Sequence, residues 1–138
     1  AGPQGVPGPS AFMVGGGTGS LQLSSFSIRY VPMFDSQAAS TESAAQQGVP
    51  VGGTLSELRV RLDGSPGFPG SWKSYTVTVR KNGVSTAVSC TIQDAAVSCS
   101  DESDKVTFVA DDLISISVTP SGTPTARTMR WTAKFAAQ

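Results

Sequence analysis

The charged side chains of this sequence separate into two groups of opposite sign, and they are the residues best equipped for chemistry. Residues 101–112 hold Asp101, Glu102, Asp104, Asp111 and Asp112 against Lys105 alone, a local charge of −4. The remainder sets nine bases against five acids and carries +4, although the whole chain is formally neutral. Three groups of bases stand out: Arg59 with Arg61, Arg80 with Lys81, and Arg127, Arg130 and Lys134 in a C-terminal stretch without acids. A guanidinium is a planar fork of donors that matches a sulfate or carboxylate in two hydrogen bonds. The chemistry these residues offer is recognition of acidic groups, with a water-facing strand surface as the plain alternative.

Catalysis finds little support. The chain has no histidine, which excludes Ser-His-Asp and Cys-His machinery and a histidine general base. We therefore expect no enzymatic activity and no cofactor. The acids Asp101, Glu102, Asp104, Asp111 and Asp112 are hard oxygen ligands from two neighbouring loops, so calcium is one reading of them, although they lack EF-hand spacing. A solvated acidic loop edge is the other. Cys90 and Cys99 are too far apart for a C-x-x-C motif, and without histidine a zinc site has no ligand set. A disulfide across a short hairpin is the preferred reading, with two buried thiols as the alternative. A bridge would place the protein in an oxidising, extracellular setting. A sequence pI near 6.4 gives no support to nucleic-acid binding.

The elements that must carry these groups read as strands. Leu58, Val60 and Leu62 alternate with Arg59 and Arg61, and Tyr75, Val77 and Val79 with Thr76, Thr78 and Arg80, which sends the bases outward. Asn82-Gly83 supplies the positive φ angles of a type I′ hairpin turn before the return strand Val84 to Ile92. Val106 to Phe108, Leu113 to Val118, and Met129, Trp131, Ala133 and Phe135 continue the pattern. Phe26, Ile28 and Tyr30 read as another strand, and Asp35 to Gln47 as an exposed loop. Gly15-Gly16-Gly17 lacks the lysine and helix of a phosphate cradle and reads as a flexible or bulged passage into the first strand. About eight short strands without a convincing helix predict an all-β chain, a jelly-roll-like β-sandwich. No apolar run in this sequence is long enough to span a membrane, and none reads as a signal peptide.

Residues 1–10 differ from the rest. Gly2, Gly5 and Gly8 hold a three-residue period with Pro3, Pro7 and Pro9 between them. That is the Gly-X-Y rhythm of a collagen triple helix, where only glycine fits at the shared axis. A flexible Pro/Gly linker is the alternative. The period ends at Ala11. We read residues 1–10 as a collagen-like stub and residues 11–138 as a head domain, and the stub leads us to expect a C-terminal piece of a longer protein. Three parallel chains in the stub imply a homotrimeric head.

Several segments carry a resemblance. These are the stub, Gly53-Thr54-Leu55, the run Lys73 to Gly83, the Cys90/Cys99 pair, and Asp112 to Gly122. Together they resemble the C-terminal heads of microbial and phage collagen-like proteins, including the Legionella collagen-like adhesin type. Such heads are similar to tumour-necrosis-factor-like and complement-like jelly rolls. The resemblance implies a homotrimer at a cell or virion surface. It also implies adhesion to sulfated or acidic glycans, or else a structural role in trimerisation and fibre tips. The candidate glycan residues are Arg59, Arg61, Arg80, Lys81, Arg127, Arg130 and Lys134.

Overall fold

A computed structural model describes residues 11–138; the collagen-like stub lies outside the described residues. The described chain is all-β. In order it forms β1 (Ala11–Gly17), β2 (Arg29–Val31), a single 3-10 turn (Glu42–Ala44), β3 (Gln47–Gly48), β4 (Gly53–Leu62), β5 (Ser74–Lys81), β6 (Val84–Gln93), β7 (Ser98–Phe108), β8 (Leu113–Ser121) and β9 (Met129–Ala137). One antiparallel sheet runs β1-β9-β4-β7 and a second β2-β8-β5-β6, with β3 continuing the line of β2 along β8. The two form a β-sandwich. Their inner faces supply a single core that includes Trp131, Tyr75, Phe108, Leu55, Ile92 and Ile116. Burying each such side chain contributes roughly 1.5–3 kcal/mol before entropy is counted. The buried polar tips are satisfied: the Trp131 indole N–H donates to the Pro32 carbonyl at 3.1 Å and the Tyr75 hydroxyl to that of Thr125 at 2.8 Å.

Strand β4 shows why the alternation expected there begins only at Leu58. Leu55 and Leu58 are three residues apart yet both fully buried, which a regular strand cannot achieve. Glu57 resolves the conflict by adopting a φ of 54° and forming a bulge, and the pairing with β7 jumps from Ser56–Lys105 to Leu58–Asp101. On β7 the residues between them, Glu102 to Asp104, have no register partner on β4. Buried Asp101 ties this irregularity down. Its carboxylate accepts the backbone N–H groups of Ser103 at 3.2 Å and Asp104 at 3.1 Å, and reaches β6 to accept that of Ser89 at 3.0 Å. Burial alone would raise the Asp101 carboxyl, but the donors of Ser89, Asp104 and Ser103 outweigh it and leave its pKa below the ordinary value.

Cys90 and Cys99 are bonded, with Cα atoms 5.9 Å apart. The geometry of the link differs from the expected hairpin staple. Cys90 lies on β6 and Cys99 on β7, which are edge strands of different sheets. The bridge therefore joins the two sheets along one open side of the sandwich, beside the Asp101–Ser89 contact.

Two loop expectations and one strand expectation are corrected. Gly15, Gly16 and Gly17 are strand residues of β1, paired with Thr132, Trp131 and Arg130. A Cβ on Gly15 would strike the Trp131 carbonyl and one on Gly16 the Pro32 carbonyl, so close backbone approach, not flexibility, requires glycine there. Phe26 and Ile28 precede β2 and are exposed, so their alternation with Tyr30 is not a continuous strand. The segment 35–47 is not a free loop. Ala45 is fully buried, and the segment covers the outer surface of the second sheet, where Glu42 is gripped by Arg80. Asn82-Gly83 is the expected turn, with φ of 52° and 79°.

The topology gives the sandwich two distinct ends. Ala11 pairs with Ala136 and Gly53 with Ala137, so the entry from residues 1–10 and the chain terminus share the proximal end with turns 82–83 and 109–112. Loops 18–28, 63–73, 94–97 and 122–128 form the distal end.

A candidate anion-binding face

The outer face of the sheet β1-β9-β4-β7 gathers the bases that sequence alternation sent outward. Arg61 on β4 stands directly opposite Arg130 on β9 in one direction and opposite Ser98 on β7 in the other. One step down, Arg59 lies between Thr132 and Ser100. Beyond the bulge, Ser56 lies between Lys134 and Lys105. The buried neighbours Val60, Leu62, Met129 and Trp131 fix these orientations, because turning any base inward would expel a core side chain. Two adjoining open basins lie along the face. The larger, about 630 Å3, is lined by Arg59, Arg61, Ser98, Ser100, Arg130 and Thr132. The smaller, about 390 Å3, continues from Arg59 and Thr132 past Lys134 to Met13.

The electrostatics of this face are uneven. Arg59 meets Glu102 at 3.2 Å and Lys134 meets Glu57 at 3.6 Å, both with exposed side chains. Each such pair is worth about 0–1 kcal/mol. Arg61 and Arg130 have no ion-pair partner among the described residues, although they sit cross-strand from each other. Like charges directly opposite on a sheet destabilise it. Arg61 and Arg130, with the hydroxyls of Ser98, Ser100 and Thr132, thus line an open basin; the third guanidinium there, Arg59, is held by Glu102, and Asp63, which accepts the Thr128 N–H, borders Arg61 and Arg130 on the distal side. That arrangement suits an oxyanion.

The other candidate bases are not part of this face. Arg80 belongs to the second sheet: its Nε donates to Glu42 at 2.7 Å and its Nη2 to the other Glu42 oxygen at 3.0 Å. The Arg80 hydrogen bond is the main reason the Glu42 carboxyl lies below its ordinary pKa, with Ser115 assisting against burial. Lys81 donates to the Thr107 carbonyl at 2.7 Å and lies 3.7 Å from Asp112. Arg127 donates to the Ser65 carbonyl at 2.8 Å over the bare backbone of Gly64, where a Cβ would strike its guanidinium.

The acids are also dispersed. Asp101 serves backbone donors at the β7 irregularity. Asp112 accepts the Val109 N–H at 2.8 Å and the Asn82 amide at 3.0 Å at the proximal end, and those two donors, Val109 first, hold its pKa low. Asp111 occupies a turn with φ of 75°. Asp104 is pushed upward by its neighbour Asp101. No three carboxylates among the described residues come together as a metal-holding group.

Sequence reasoning located Arg59, Arg61, Arg130 and Lys134 but not their convergence, nor the hydroxyls of Ser98, Ser100 and Thr132. Pairing across 69 positions, Arg61 to Arg130, is a property of strand order and leaves no local signal. No family model matches the chain, and no curated protein matches it either.

Proposed function

We propose that this chain is the homotrimeric head of a collagen-like surface fibre, and that it holds acidic glycans on the outer face of the β1-β9-β4-β7 sheet. The observation that carries the ligand reading is the cross-strand pair Arg61 and Arg130, without an ion-pair partner among the described residues, on an open basin that Ser98, Ser100 and Thr132 also line. Arg59 and Lys134 extend the positive track in one direction along the face, as a linear polyanion requires. Each contact is individually weak, and three copies per trimer would raise retention through multivalency.

Other features support the remaining parts of the proposal. The strand orders β1-β9-β4-β7 and β2-β8-β5-β6 interleave early and late strands in both sheets, in the manner of a jelly roll. Toward the end where Ala11 lies, Phe12, Met13, Phe34 and Val51 are exposed, an apolar rim suited to subunit contact. The Cys90–Cys99 bridge fits an extracellular location. Among the described residues no helix is long and apolar enough to cross a membrane.

Two measurements test the proposal. Sedimentation of residues 11–138 should give about three times the chain mass, as expected for a closed cyclic trimer; a monomer at micromolar concentration would remove the trimer reading. R61S/R130S should elute from heparin at lower salt than the unmodified protein while remaining trimeric. Unchanged elution would remove this face as the site. Tighter trimerisation of the variant would make the face a subunit contact instead.

A further inference from the structure

We infer that the distal end carries a second, separate ligand site, in which the exposed indole of Trp72, in the same loop as Phe68, stacks on the rings of a neutral hexose polymer. Trp72 is 77% exposed and Phe68 63% exposed. Trp72 also has a φ of 58°, a left-handed conformation that a bulky side chain adopts only under constraint. The surroundings supply that constraint. Asp94 Oδ1 accepts the Trp72 N–H at 2.9 Å and the Ser71 hydroxyl at 3.2 Å. A Cβ on Gly122 would strike the Trp72 carbonyl, so glycine there makes room for it. Phe68-Pro69-Gly70-Ser71 is closed by Ser71 N–H to the Phe68 carbonyl at 3.0 Å, and Gly70 has a φ of 78°, as in a type II turn with proline and glycine at its centre. The strain is not repaid by burial, because the indole stands in water. Its effect is to fix two aromatic side chains in the exposed positions flanking a rigid turn.

The setting selects the class of ligand. Loops 63–73, 94–97 and 122–128 hold Asp63 and Asp94 against Lys73 and Arg127, a balance that attracts neither a polyanion nor an anionic membrane. Neither basin of the arginine face includes Trp72 or Phe68. A pyranose ring matches an open platform: its axial C–H groups carry partial positive charge and rest on the negative face of an aromatic ring. The Lys73 ammonium lies 5.8 Å over the Phe68 ring, so Trp72 offers the open ring face and Lys73 a donor in the same loop for the sugar hydroxyls. The site also faces away from the end joined to the stub.

The test uses the full chain labelled with 5-fluorotryptophan, which gives one fluorine signal for Trp72 and one for buried Trp131. Cellohexaose, chitohexaose and maltohexaose are the probes. At least one should shift the Trp72 signal saturably and leave Trp131 unmoved. W72A, its fold verified by the Trp131 signal, should lose roughly tenfold in affinity, the scale of one aromatic contact, with heparin retention unchanged. No shift with any of the three probes would overturn the inference, as would a shift produced only by phosphatidylcholine vesicles. Loss of heparin retention in R61S/R130S leaves this site untouched, so the two sites fail independently.

Discussion

The outer faces of the two sheets are built from the same kinds of residue and end in opposite states. On the second sheet, Arg80 faces outward from β5 with Thr76 and Thr78, and every group is engaged. Thr76 meets Thr91 at 3.1 Å, Thr78 meets Ser89 at 3.0 Å, and Arg80 is held by Glu42, which also accepts the Ser115 hydroxyl at 2.9 Å. Segment 35–47 lies across that face and buries Ser115. On the first sheet nothing among the described residues covers Arg61 and Arg130. An outward base on a strand is therefore not a functional signal in itself. What decides is whether the chain folds an acid over it.

This difference gives opposite signs for the same kind of mutation, beginning with the largest effect. Replacing Glu42 with alanine leaves Arg80 half-buried and unpaired, and should cost about 2–4 kcal/mol in urea denaturation with heparin retention unchanged. The Glu42 carboxyl is depressed in the folded state, so the unfolded chain takes up its proton first. Its stabilisation is present above the ordinary carboxylate pKa and is lost as pH falls through the folded value. E42Q should flatten part of the acid side of the stability profile, and Asp101, also depressed, should account for another part.

Next in size is the link between the sheets. Cys90→Ser with Cys99→Ser should cost about 2–3 kcal/mol, the scale for closing so short a loop, and lower the urea midpoint of the whole sandwich in one transition. Separate transitions for the two sheets would break the view that they share one core.

The smallest effect carries the reversed sign. Arg61→Ser should stabilise the fold by about 0.2–1 kcal/mol by relieving the cross-strand repulsion with Arg130. Destabilisation of comparable size would show that Arg61 is structural, as Arg80 is, and the contrast between the faces would disappear.

Much of the framework was legible from local pattern. Alternation located β4, β5, β8 and β9, and Asn82-Gly83 located a turn, because both are set by neighbouring residues. The bulge at Glu57 was not readable, since it answers to a mismatch with β7 some 45 positions away in the pairing of Ser56 with Lys105 and Leu58 with Asp101. The role of the β1 glycines is not readable for a similar reason: they admit carbonyls of Trp131 and Pro32 that only the fold brings near. At the site, the outward direction of each arginine followed from its buried neighbours. Which arginines share a face depended on strand order, and which are neutralised depended on where segment 35–47 comes to rest.

The central claim is that the open arginine face binds an acidic glycan and the covered one does not. It is tested most directly by calorimetric titration of a heparin hexasaccharide into two variants at low and raised salt. One is R61S/R130S; the other is E42M/R80M, which removes the ion pair of the covered face and is expected to lose some stability, because it leaves the buried Ser115 hydroxyl without its acceptor, while remaining folded. The account predicts that R61S/R130S loses most of the salt-sensitive binding and that E42M/R80M keeps the affinity of the unmodified protein. Equal binding by R61S/R130S and the unmodified protein, or a loss confined to E42M/R80M, would contradict it.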